Sequence, residues 1–262
     1  MSAPPLASPR TLRAAAWLGV AFLTIPLLGL LQRAPWSTLA ERLSAAAVVD
    51  AMRVSLVVSL GAALVSLVVG LPLAWALARE TLPGARVIRA LVMLPMVLPP
   101  VVAGTALLFA LGRRGLVGQW LDSWFGITLP FSTAGATIAA TFVALPFFVT
   151  TVEAALRDAG TELEEAAAVC GAGPFATFAR VTIPASRGSI AAGIALAWAR
   201  ALGEFGATIT FAGSFEGRTR TLPLQTFLAL EADPETAVAL SVLLLAISLA
   251  VLVAMRGRWM QR

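Results

Sequence analysis

Along the 262-residue chain, most polar residues fall between six apolar stretches, each close to the roughly 20 residues that cross a hydrocarbon core. The stretches run Ala14 to Leu31, Val54 to Ala78, Ala90 to Leu111, Thr133 to Val152, Ile190 to about Phe211, and Ala237 to Met255. The pattern predicts an all-α integral membrane protein of about six transmembrane helices. Residues 1–262 read as a single transmembrane domain, without a soluble domain, a low-complexity linker or a clear internal repeat. The first stretch follows Arg10 and Arg13 as a cleavable signal would. It is long, however, and Leu31-Gln32-Arg33-Ala34-Pro35 offers no good small-residue cleavage site, so it reads as retained.

Composition narrows the chemistry. The chain is 59% hydrophobic and 13% charged, against roughly 45–50% and about 25% in soluble domains. All 19 basic residues are Arg; there is no His, Lys or Tyr, and Cys170 is the only cysteine. A Ser-His-Asp triad, a Cys/His zinc site, an internal disulfide and a Lys-dependent phosphate loop are therefore excluded. Any nucleotide-driven work falls to another chain. The net charge of +5 is spread between apolar segments, a poor pattern for nucleic-acid binding. Eleven Arg residues lie in the N-terminus, residues 79–89, residues 153–187 and the C-terminus, and seven in the alternate connections. That bias predicts both termini in the cytoplasm.

Several local features stand out. Asp233-Pro234-Glu235 supplies an N-cap, an N1 proline and an early acid, so a helix leading into the sixth span should begin there. Trp120 and Trp124, four residues apart, suit a short helix lying at the lipid–water interface, chiefly as an anchor. The third span holds Pro95, Pro99 and Pro100, which make either a kink or a break lining a translocation path, with Gly104 and Thr105 adjoining. In the fifth, Arg200 and Glu204 stand four residues apart. An unpaired charge at the bilayer centre costs about 2.5 to over 10 kcal/mol, so the two should face the bundle interior. They are either a self-neutralised structural pair or part of a gate or ion path, and Thr208 and Thr210 continue the polar trace.

The stretch from Glu153 to Arg187 is the longest connection on the cytoplasmic side. Thr161-Glu162-Leu163-Glu164 fits a capping box, so a helix should start at Glu162 and end at Gly171. Pro174 begins a second, with Phe175 and Phe178 on one face, limited by Pro184. Two short helices about a Gly-rich turn form a knob able to enter a groove on another protein or simply to pack.

Glu165-Ala166-Ala167, Gly171 and Val181-Thr182-Ile183-Pro184 resemble the E-A-A-x3-G-x9-I-x-L-P signature of ABC importer permeases, with Val181 for Ile and Ile183 for Leu. Leu94 to Val102 with Gly112 to Gly115, Trp124 to Thr128, and Arg200 to Phe211 with Thr219 to Pro223 narrow the resemblance to molybdate permease subunits. It covers about Val54 to Met255, and sulfate and tungstate permeases share much of it. The resemblance implies a type I ABC importer permease fold in a bacterial or archaeal cytoplasmic membrane, and a homodimer working by alternating access. It also implies two copies of an ABC ATPase subunit and an extracytoplasmic molybdate-binding protein as partners. Glu165, Ala166, Ala167, Gly171 and Pro184 would then couple to the ATPase, while Pro99, Pro100, Thr105, Arg200, Glu204 and Thr208 are path or gate candidates. No enzyme activity and no cofactor or metal of its own are expected, since ATP sits on the partner. The outer Arg113, Arg114, Arg218 and Arg220 are solvated surface, or draw in anions or grip the binding protein. An ion-coupled secondary transporter is the competing reading, with Glu204 as its one deep acid.

Overall fold

A computed structural model of the chain describes residues 10–259, with side chains through residue 254. Regular structure among these residues is entirely helical. α1 (Arg10–Gln32) and α2 (Leu39–Ser44) lead to α3 (Ala46–Ala78), α4 (Ala85–Val97), α5 (Pro100–Leu111), α6 (Gly118–Phe125) and α7 (Thr133–Asp158). There follow α8 (Glu162–Val169), α9 (Pro174–Thr177), a π-helical turn at Phe178–Thr182, and α10 (Ile183–Ala185). The chain continues through α11 (Arg187–Leu202), α12 (Gly206–Ala212), α13 (Leu222–Ala232) and α14 (Pro234–Trp259). The expected cytoplasmic placement of the two chain ends bears on residues 1–9 and 260–262, which lie outside the described residues.

Among the described residues, only α1, α3, α7 and α14 are long and apolar enough to cross a membrane alone. The third and fifth expected spans are bent pairs: α4 and α5 meet at 118°, α11 and α12 at 62°, so six spans result only if each pair counts as one. Of the three prolines, Pro95 sits inside α4, whereas Leu98 takes the extended conformation favoured before a proline, and Pro100 opens α5. At 13 residues, α4 is about 20 Å long, short of a crossing. A simple kink does not describe this turn. α7 runs past its expected end at Val152 to Asp158, which puts Glu153 in a buried helical position and not in a connection. α2 and α13 were not expected, being too short or too mixed to register as apolar runs.

α3, α7 and α11 form the core, packed through small residues: Ala62, Ala136, Ala140, Ala144, Ala197 and Ala201 are buried between them. Lipid is as apolar as a leucine core, so close backbone approach, more than apolar burial, holds such helices together. Phe148 fills the space left by Gly70 and Gly193; a Cβ at Gly70 would lie 2.7 Å from its ring. None of α1 is buried, as fits a helix whose solvent is lipid. The Asp233-Pro234-Glu235 start of α14 forms as expected: Asp233 accepts from the Thr236 N–H and hydroxyl, and Arg42 of α2 pairs with Asp233 and Glu235. Trp120 and Trp124 lie exposed on α6, their rings 5.4 Å apart.

The broken pairs are packed against each other. A Cβ on Gly104 of α5 would lie 2.8 Å from the Ala207 carbonyl oxygen and 2.6 Å from Thr210 Cβ, and one on Gly206 2.5 Å from Pro100 Cβ. Gly104→Val should therefore destabilise the detergent-solubilised protein by about 1–3 kcal/mol, read as a lowered melting temperature. Gly19→Val, where a Cβ meets nothing within 4 Å, should melt like the parent; equal melting of the two variants would contradict this packing.

Candidate functional site

Two places combine exposure or backbone breakage with placed polar groups. One is the elbow of α8, the Gly171 turn, α9 and the π-helical turn. α8 ends at Val169, and Gly171 takes φ +84°, a left-handed conformation that suits glycine. Nothing lies within 4 Å of where its Cβ would be, so the turn itself is open to a partner. Leu163, Val169 and Phe175 are exposed, Val169 by 89% and Phe175 by 82%.

The expected capping box does not form. Thr161 makes no side-chain bond to the helix backbone; its hydroxyl donates to Glu165 Oε1 at 2.5 Å. Glu164 instead turns toward the bundle, where Arg79, the C-cap of α3, donates Nε to Oε2 at 2.9 Å and Nη2 to Oε1 at 3.2 Å. Thr182 Oγ1 and Trp75 Nε1 also donate to Oε1, at 2.7 and 3.4 Å. Arg79 further donates to the Leu156 and Gly160 carbonyls at 3.0 and 2.7 Å, placing its charge where α7 ends and carbonyls lack helical partners. The Trp75 and Phe178 rings meet edge to face at 5.5 Å. Phe175 and Phe178 thus part company, one exposed and the other packed on α3. Burial pushes the Glu164 carboxyl upward, but the hydrogen bonds from Arg79 and Thr182, the Arg79 charge and Trp75 outweigh it and hold it below the ordinary value. Its contribution is therefore full above the usual carboxylate range and lost as pH falls through the lowered value. Beside this network, a groove of about 590 Å³ opens between the end of α3 and α8, lined by Trp75, Arg79, Glu80, Thr161, Glu164 and Glu165.

A second pair ties down α4. Arg89 Nε donates to the buried Glu153 Oε1 at 2.7 Å, and its Nη2 to the Leu77 carbonyl at 3.2 Å. Arg157 stands 3.8 Å from the same carboxylate oxygen.

The other place is the junction of the two broken helices. α11 stops at Leu202, and Glu204 lies in the break, beyond the helix that carries Arg200. The pair forms nonetheless, Arg200 Nη1 to Glu204 Oε2 at 2.8 Å, with Glu204 2% exposed. Glu204 Oε1 also accepts the Ala207 N–H at 2.8 Å, satisfying a donor in the first turn of α12. One carboxylate thus closes the break and neutralises the arginine. Pro100 packs against Gly206, and Pro99 and Pro100 are both exposed. Thr105 is half-buried and spends its hydroxyl on the Val101 carbonyl at 2.9 Å. Thr208 is fully buried, and its hydroxyl has no protein partner.

The structure thus brings Pro99, Pro100, Arg200, Glu204 and Thr208 to one junction, and Glu165, Ala166, Ala167 and Gly171 to the elbow. Pro184 falls in α10, past the π-helical turn, where the chain continues helically toward α11. Sequence reasoning missed Glu164, Arg79, Trp75 and the Arg89–Glu153 pair. Their partners lie 64 to 89 residues apart, and local spacing carries no signal for such pairs.

Residues 66–262 match the model of a family described as binding-protein-dependent transport system inner membrane component. The chain is 41% identical over 255 residues to the molybdenum transport system permease protein ModB of Mycobacterium tuberculosis (strain ATCC 25618 / H37Rv), covering 97% of this chain and 96% of that protein. The ModB of Escherichia coli (strain K12) is also 41% identical, over 213 residues, 81% of this chain and 93% of the relative. A probable sulfate transport system permease protein, cysT of Nephroselmis olivacea, is 38% identical over 243 residues, 91% of this chain and 84% of its own. Among solved structures, a bacterial alginate ABC transporter in complex with its alginate pentasaccharide-bound periplasmic protein superposes with a TM-score of 0.72 at 17% identity, covering 94% of this chain and 91% of that one. At that identity the likeness bears on the fold alone.

Glu204→Gln keeps an oxygen for the Ala207 N–H but removes the charge opposite Arg200. The variant should show reduced membrane abundance or, if it accumulates normally, impaired transport; normal values of both would contradict a role for the pair.

Proposed function

The chain belongs to the inner membrane components of binding-protein-dependent transport systems, and from that premise we propose that it is the permease subunit of an ATP-driven molybdate importer. The observation that carries the substrate is 41% identity to molybdenum permeases across 97% of the chain. Sulfate is the alternative, favoured by a relative at 38% identity over 91% of the chain.

In this reading the chain is one permease domain with both ends in the cytoplasm, and two copies enclose the route. It holds no nucleotide site; ATP is bound by two copies of an ATPase subunit seated against the elbow, with Glu165, Ala166, Ala167, Gly171 and Pro184 as the coupling residues. A solute-binding protein delivers the oxyanion from the opposite face. A dianion cannot cross hydrocarbon unaided, so it needs a polar route opened to one side at a time. Pro99, Pro100, Thr105, Arg200, Glu204 and Thr208 belong to that route or its gate. ATP can shift the equilibrium between inward and outward states only by favouring one arrangement of its own subunits, and the exposed elbow transmits that preference. The surrounding lipid covers the apolar helices, α1 above all.

The test is reconstitution of the chain with its ATPase subunit in vesicles, with binding protein and labelled oxyanion on the appropriate side. ATP-dependent molybdate accumulation, weakly competed by sulfate, is expected. Preferred sulfate uptake would move the assignment to the sulfate permeases, and accumulation without the ATPase would favour an ion-coupled transporter. In the same vesicles, Gly171→Leu strains a left-handed position and fills the open turn. ATP hydrolysis should continue while uptake per ATP falls; full uptake with substrate-stimulated hydrolysis would contradict the elbow contact.

A further inference from the structure

α8 has little apolar attachment to the molecule. Of its eight residues only Glu164 and Ala167 are not exposed, and Ala167 offers a single methyl group. Leu163 and Val169, its larger apolar side chains, point away from the bundle at 62% and 89% exposure. The helix is therefore held chiefly by one carboxylate. Arg79 and Glu164 are themselves well covered, with side chains 11% and 16% exposed, so the pair is shielded from solvent. Through Arg79 the same contact reaches the carbonyls of Leu156 and Gly160 at the end of α7, and through Thr182 it reaches the turn leading to α11. α3, α7 and α11 are the packed core of the bundle.

We propose that Glu164 is the positioning residue of the elbow, the point where displacement of α8 passes into α3 and α7 through Arg79 and into α11 through Thr182. The proposal rests on the importer reading for its transport consequence, but not for its geometry. Glu165, the acid of the signature, is exposed, and among the described residues its carboxylate takes a hydrogen bond only from Thr161, which leaves it for the contact with a partner. Glu164 belongs to the contact with the bundle. A packed apolar surface would let α8 slide under load, whereas a forked Arg–carboxylate pair fixes both distance and direction. Removing the charge while keeping the shape should loosen the elbow without dismantling the bundle.

Glu164→Gln supplies the test. Nitroxides on native Cys170, which is exposed at the end of α8, and on Ala154→Cys, exposed on α7, report the elbow's position by pulsed dipolar spectroscopy on the full chain in nanodiscs. A second arm measures molybdate delivered per ATP hydrolysed by the vesicle-reconstituted complex. The variant should broaden the distance distribution and lower delivery per ATP by about three- to thirty-fold, with the ATPase subunit still co-purifying and hydrolysing. Glu164→Asp, which keeps the charge, should recover part of both. If the Gln variant fails to accumulate, Thr182→Val removes one hydrogen bond from the same carboxylate and should shift both readouts in the same direction. A distribution as narrow as the parent's, or normal delivery per ATP despite a broadened one, would overturn the proposal. Absence of molybdate uptake by the parent would instead count against the importer reading, leaving the distance arm to judge the clasp.

Discussion

A peptide group inside hydrocarbon has no water to bond with, so every interruption of a membrane helix must be sealed by the protein itself. The described residues hold two bent pairs of this kind, and the two meet at one junction. The break at Leu98–Pro99 needs fewer donors satisfied because two of its residues are prolines. The break after Leu202 is closed by Glu204, which meets the Ala207 N–H and Arg200 together. Gly104 and Gly206 then let α5 and α12 approach until backbone and side chain touch. Polar groups and broken backbone are thus concentrated in one part of an otherwise apolar bundle.

At the other end of the molecule charge solves a different problem. The ends of α3 and α7 leave carbonyls without helical partners, and α8 begins with free N–H groups and three acids. Arg79 and Glu164 join these complementary ends, and Arg89 with Glu153 does the same for α4. Ion pairs are a weak source of stability in general, but they set direction, and a helix that lies outside the apolar core needs that more than it needs burial.

Much of this is legible in the amino-acid sequence. Apolar run lengths give the four unbroken helices, because hydropathy reports how much chain prefers lipid. The Asp233-Pro234-Glu235 start and the left-handed Gly171 follow from local backbone chemistry, as do the short helices around Pro174. What hydropathy cannot report is direction: Ala90 to Leu111 is equally apolar whether straight or turned through 118°. The turned pair also packs against Gly206, over a hundred residues away, which meets Pro100. Glu164 was misread for a related reason. The capping-box spacing is a local rule, and here a tertiary partner with a full charge competes for the same carboxylate and wins.

The central claim is that the junction of the broken helices borders a water-accessible route. With Cys170 replaced by Ser, a single cysteine at Thr105 should react with a membrane-impermeant thiol reagent in the assembled transporter, at a rate that changes when ATP is bound. Cysteines at Leu60 and Leu64, exposed apolar positions of the unbroken helix α3, should stay inert. Equal inertness at all three, with or without ATP, would contradict the account.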